Sequence, residues 1–106
     1  MTPTSEEVAD VLDRAHDELL VRGWCQGSFQ RDEKVCAVQA VIVATRGETS
    51  NYEKRSVLVD AVCDAFAAEN GARPMSFNDD PGRTIDDVLD AFRRTAKQLR
   101  EEAGAA

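Results

Sequence analysis

At 106 residues, the chain is long enough for one modest core and too short for two. Twenty acidic residues against thirteen basic ones leave a formal charge of -7, which argues against a phosphate-binding surface spread over the whole molecule, since backbone phosphates need clustered Lys and Arg. No run approaches the roughly 18 apolar residues of a membrane span, and the opening MTPTSEEVAD lacks the basic and apolar regions of a signal peptide, so a cytoplasmic protein without membrane contact is expected.

Thr4 and Glu7 have capping-box spacing, and behind them Val8, Val11, Leu12, Ala15 and Leu19 recur on one face, which predicts an amphipathic helix over residues 5–22. Glu6, Asp10, Asp13 and Asp17 fall on the other side as an acidic stripe, a solvated face or a partner-binding one. His16, the sole histidine, sits at the margin between the two faces and reads as a boundary residue, because a catalytic base needs a positioned neighbour.

Gly23 ends this helix, and GWCQGSFQRDEKVCA mixes apolar and aromatic residues around a polar RDEK interruption, the pattern of a small β-ribbon. In CAVQAVIVATRG the β-branched residues favour strand, while its length, its alanines and the closing Gly47 favour a buried helix; the prediction is helix over 36–46. Ser50 and Glu53 have capping-box spacing before a helix over 52–69, whose inner face carries Val59, Val62, Cys63 and Phe66. The last helix begins at Thr84 and aligns Ile85, Val88, Leu89, Phe92, Ala96 and Leu99. Asp86, Asp87 and Asp90 precede Arg93, Arg94, Lys97 and Arg100, an order that compensates the helix dipole and allows an Asp90–Arg94 pair. EEAGAA reads as a frayed tail.

FNDDPGRT, residues 77–84, is the densest polar stretch, and it reads first as a device for starting a helix. Asp80-Pro81-Gly82 suits a type II turn, Thr84 caps with Asp87 reaching back, and Asn78 and Asp79 are expected to fold their side chains onto nearby amides. Asp79 and Arg83 remain able to serve a surface contact as well. A calcium loop starting at Asn78 would put Arg83 where glycine belongs and Leu89 where the bidentate glutamate belongs. Gly23 to Gly27 spell GxCxG, a thiol version of the nucleophile elbow, but the chain is too short for the α/β sheet such an elbow needs. Cys25, Cys36, Cys63 and His16 form a permitted zinc set without the spacing of a knuckle. Three cysteines, an odd number, favour free thiols.

The combination of GWCQG, VCA at 35–37 and FNDDPGRT ahead of an amphipathic helix resembles a family of small proteins of unknown function from mycobacteriophages and their actinobacterial relatives, over most of residues 8–100. The resemblance implies phage origin, an accessory role of the kind that often works by binding host proteins, and a helix after VCA. It brings no catalytic residues.

The expected fold is therefore mainly α, a compact bundle of about four helices with a small β-hairpin or loop between the first two, in one domain over 1–106 with 1–4 and 101–106 frayed. Trp24, Phe66, Phe92 and Leu99 should share its core. The expected function is a non-catalytic interaction module for a host or phage protein, with no metal, no cofactor and no direct nucleic-acid contact. Asp10, Asp13, Asp17, Gln26, Asn78, Asp79 and Arg83 are the candidate interaction residues. The alternatives are an acidic DNA mimic, supported by the α-helical acidic stripe, and a thiol enzyme acting through Cys25.

Overall fold

Each long helix starts where a side chain can satisfy amides that no earlier turn of helix reaches. The computed structural model describes residues 2–105. In α1 (Ser5–Arg22) the expected capping box is present: Thr4 Oγ1 accepts from the Glu7 amide at 3.1 Å, and Glu7 Oε1 accepts from the Thr4 amide at 3.0 Å. The ribbon follows as β1 (Gln30–Arg31) and β2 (Lys34–Val35), antiparallel, with Gln30 opposite Val35. Asp32 makes the turn at φ 56°, a left-handed conformation that Asp tolerates better than most residues. Val35 is also bonded on its other side, donating to Gly23 O at 3.0 Å and accepting from the Cys25 amide at 3.1 Å. The segment from Gly23 to Val35 is thus held as three short lengths of chain with Val35 in the middle.

Helix α2 (Ala37–Arg46) is capped by Cys36, whose Sγ accepts from the Gln39 amide at 3.5 Å. Helix wins over strand here because Ala37, Ala40, Val41, Ala44 and Thr45 recur at helical steps and bury one face, while small alanines let the neighbouring helix approach. For α3 (Tyr52–Asn70) the structure corrects the expected cap. Asn51, not Ser50, accepts from the amide three residues on, Lys54, at 3.0 Å, and Asn is as good a cap as Ser. Its buried face is Leu58, Val62, Cys63 and Phe66; Val59 is only half-buried. Gly71 ends the helix at φ 80°, where a side chain would be strained.

A short helix that the sequence reading did not contain, α4 (Pro74–Asp79), opens on Pro74, whose ring fits the first turn, and takes in the first three residues of FNDDPGRT. The turn that follows has the expected form, with Gly82 at φ 85° and the Arg83 amide donating to Asp80 O at 3.0 Å. Thr84 then caps α5 (Ile85–Ala105), exchanging bonds with Asp87 at 3.2 and 3.0 Å. The expected frayed end is helical as far as Ala105; Ala106, like Met1, lies outside the described residues.

The fold is mainly α, with five helices among the described residues and one small hairpin between the first two. Helix α1 packs chiefly on α5 and α2, α3 closes against both of these, and α4 bridges α2 and α3. Phe66 sits at the middle of the core, edge-on to Phe77 at 5.3 Å and to Phe92 at 5.6 Å between ring centres. Phe66 and Phe92 are fully buried, while Trp24 and Leu99 pack against the core from its margin, half-buried. Thr95, which the periodic pattern passes over, is also buried; it donates to Ala91 O and accepts from Asn70 Nδ2, so its hydroxyl is bonded both as donor and as acceptor.

Candidate functional site

The two motif segments that stand out in the sequence, GWCQG and FNDDPGRT, bind each other. Asn78, in the last turn of α4, is completely buried. Its Oδ1 accepts from Trp24 Nε1 at 2.6 Å and from the Ala37 amide at 2.9 Å, and its Nδ2 donates to Cys25 O at 3.0 Å and to Asp79 Oδ1 at 3.0 Å. An amide side chain has two donors and two acceptor lone pairs, so every hydrogen-bonding position of Asn78 is occupied. Around it, Gln26 Nε2 donates to Asn78 O at 2.9 Å and to Asp80 O at 3.2 Å, and Asp79 Oδ1 accepts from the Gly27 amide at 3.0 Å. That amide donation holds the Asp79 carboxyl below its ordinary value of 3.8, with the Asn78 side chain adding to the effect.

Arg83 closes the outer side of this clasp. Its guanidinium lies 3.7 Å from the centre of the Phe77 ring, while Nε donates to Phe77 O at 2.8 Å and a terminal nitrogen to Asp80 Oδ2 at 3.1 Å. Four of the candidate interaction residues, Gln26, Asn78, Asp79 and Arg83, therefore do meet in space. They bond within the molecule, with Asn78 buried, Gln26 and Arg83 half-buried and Asp79 exposed. The expected local turns of Asn78 and Asp79 are replaced by contacts across more than fifty residues of sequence, because the end of α4 is pressed against the ribbon.

Asp10, Asp13 and Asp17 lie elsewhere, on α1. Arg100 of α5 reaches across to three carboxylates of the stripe: Glu6 at 3.2 Å, Asp10 at 2.9 Å and Asp13 at 2.8 Å. Sequence reasoning gave Arg100 to the dipole of its own helix and missed this bridge. Asp17 faces His16 Nδ1 at 3.2 Å, and Arg93 approaches His16 Nε2 at 3.0 Å. A guanidinium can only donate, so Nε2 accepts and the ring proton is on Nδ1, towards Asp17. The expected Asp90–Arg94 pair is absent among the described residues; Arg94 donates instead to Asn70 Oδ1 at 2.9 Å.

The thiols are equally committed. Cys25 is buried, with Sγ 3.5 Å from Ser28 O and 3.6 Å from Lys34 O. Burial pushes the Cys36 and Cys63 thiols up, which lowers the thiolate fraction that nucleophilic or metal chemistry requires. Cys63 belongs to the buried face of α3, whereas Cys25 lies in the ribbon and Cys36 caps α2. Among the described residues no group of three His, Cys, Asp or Glu side chains is placed to hold a metal ion. No helix of the described residues is long and apolar enough to cross a membrane. A cleft of 590 Å³ opens between the starts of α1 and α3, but Glu7 and Glu48 on its walls are already bonded, to Thr4 and to Arg14.

The arrangement defines a small helical protein in which a ribbon is locked to a helix end by one buried asparagine. A family model described as a family of unknown function (DUF6197) matches residues 3–98, and the chain belongs to that family. No curated protein and no solved structure matches it.

Replacing Asn78 removes partners from buried groups on two other segments. Asn78→Ala should cost about 3 kcal/mol in denaturant unfolding, since the Ala37 amide and the Cys25 carbonyl lose partners they cannot regain from water. It should also shift native Trp24 fluorescence to the red. A loss under about 1 kcal/mol with unchanged emission would contradict the clasp.

A carboxyl held below its ordinary value stabilises the folded state above that value, and the contribution is lost as the pH falls from 3.8 through the folded one. Asp79→Asn keeps an acceptor for Gly27 but cannot ionise. Its stability should fall less steeply than that of the wild type as the pH drops below 3.8, and parallel acid-unfolding curves would overturn the assignment.

Proposed function

We propose that the protein is a cytoplasmic, non-catalytic interaction module that binds another protein through the end of the molecule carrying the ribbon. The supporting observation is a contrast between what is committed and what is exposed. Cys25, Cys36, Cys63 and His16 are enclosed or already bonded, and Asn78 has no hydrogen-bonding position to offer. Phe29, by contrast, is 53% exposed, and Leu20 and Val21, at the end of α1 just before the ribbon, are 59% and 85% exposed. Large apolar side chains left in water on adjoining segments are suited to fill a partner's pocket.

The clasp strengthens this reading, because a ribbon already held in place loses little freedom on binding. The likeness of GWCQG, VCA and FNDDPGRT to phage and actinobacterial proteins makes a host or phage protein the partner proposed, and the protein itself a phage accessory product. The DNA-mimic alternative has weaker support. Its acidic stripe is bridged by Arg100, so three of the four carboxylates are not free to imitate a row of phosphates.

The test is affinity capture from an actinobacterial lysate at low and high salt, comparing the wild type with a Val21→Ser, Phe29→Ser double variant. An apolar contact predicts one protein enriched by the wild type at both salt concentrations and lost with the variant. Capture that disappears at high salt, capture unchanged by the double substitution, or retention of DNA in place of protein would overturn the reading.

A further inference from the structure

Seven of the ten arginines of this chain have side-chain partners among the described residues. Arg14, Arg22, Arg73, Arg83 and Arg100 pair with carboxylates, and Arg93 and Arg94 meet His16 and Asn70. Among the described residues, that leaves Arg31, Arg46 and Arg55 without a hydrogen-bonded side-chain partner, although acidic groups outnumber basic ones by twenty to thirteen. Arg46 and Arg55 line the same groove.

This groove, of 290 Å³, lies between α2 and α3. Arg46 enters from the last turn of α2 and Arg55 from the first turns of α3. Ile42 and Val59, both half-buried, form its apolar floor, and Tyr52, 77% exposed, stands beside it. Ser56 supplies a hydroxyl. Asp60 also faces the groove, yet it bonds to neither arginine.

The geometry points to a binding site for a small phosphate monoester that carries hydroxyl groups, the class of sugar phosphates and nucleoside monophosphates. Two guanidinium groups can take a phosphate dianion through paired N–H donors, and Ser56 adds a further donor. The start of α3 contributes the positive end of its dipole; the end of α2 opposes this, and Arg46 offsets it. Asp60, acceptor only when ionised, calls for a donor on the ligand, which a sugar hydroxyl provides. The floor and the Tyr52 ring receive the less polar body of such a molecule. The volume lies at the lower edge of the roughly 300–1,000 Å³ of small-molecule sites, which suits a single monoester rather than a polymer. The groove shares no residue with the ribbon surface, so this inference and the interaction reading stand or fall separately.

Amide NMR titration of the intact protein tests it, with ribose 5-phosphate, inorganic phosphate and ribose as separate probes. Ribose 5-phosphate should produce saturable shifts confined to the end of α2 and the first two turns of α3. Inorganic phosphate should act more weakly at the same amides, and ribose should have no effect. Arg46→Gln and Arg55→Gln should each weaken ribose 5-phosphate binding about tenfold or more, while Arg31→Gln leaves it unchanged. Neither groove arginine holds a side-chain bond in the fold, so unshifted signals elsewhere will show that the variants remain folded. Shifts that scatter over the surface, fail to saturate, or weaken equally in Arg31→Gln would overturn the site.

Discussion

The hydrogen bonds of one buried side chain decide how the ribbon end of this molecule is built. Asn78 ties α4 to the indole of Trp24, to the backbone of Cys25 and to the first amide of α2, so three segments that are far apart in sequence take their positions from a single amide group. A buried amide is costly unless all of its positions are met, and its partners are equally costly to leave alone. That asymmetry makes the arrangement specific. Aspartate would lose the donor to Cys25, leucine would lose everything, and glutamine would need space that a fully enclosed site does not have.

Charge plays a second organising role, between helices rather than within them. With seven more acidic than basic groups, the chain would be expected to leave carboxylates unpaired on α1, yet Arg100 crosses from α5 to gather three of them. Each contact at a partly exposed surface is weak on its own. Together they join three carboxylates of the α1 stripe to α5, across the two helices that make the most extensive contact in the fold, while Asp17 stays outside the bridge. The groove between α2 and α3 departs from this pattern, since its two arginines have carboxylates within the chain to choose from and bond to none.

What was legible in the sequence is what repeats at three or four residues. The Thr4–Glu7 and Thr84–Asp87 caps, the Pro81-Gly82 turn, the periodic face of α5 and the helical reading of the valine-rich α2 all rest on neighbours along the chain, and the structure has each of them. The cap of α3 shifted by one residue because Asn51 and Ser50 offer nearly equal chemistry at adjacent positions. Asn78 was misread for a different reason. An Asn beside Asp and Pro has good local partners, and nothing in its neighbourhood announces Trp24, 54 residues away. Arg100 was misread in the same way, since its helix end explained it adequately. Of the candidate site, the membership of Gln26, Asn78, Asp79 and Arg83 was legible as unusual composition, but the burial of Asn78 and the contacts that join the four were not.

The central claim, that Asn78 fastens the start of α2 to α4, is tested most directly by hydrogen exchange at the Ala37 amide. Ala37 is the first residue of α2, and a first-turn amide has no partner within its own helix. Among the described residues its acceptor is Asn78 Oδ1, at 2.9 Å. The account predicts that this amide exchanges as slowly as those in the middle of α5, through global unfolding alone. Exchange at the rate of an open helix end, in a protein otherwise folded, would contradict it.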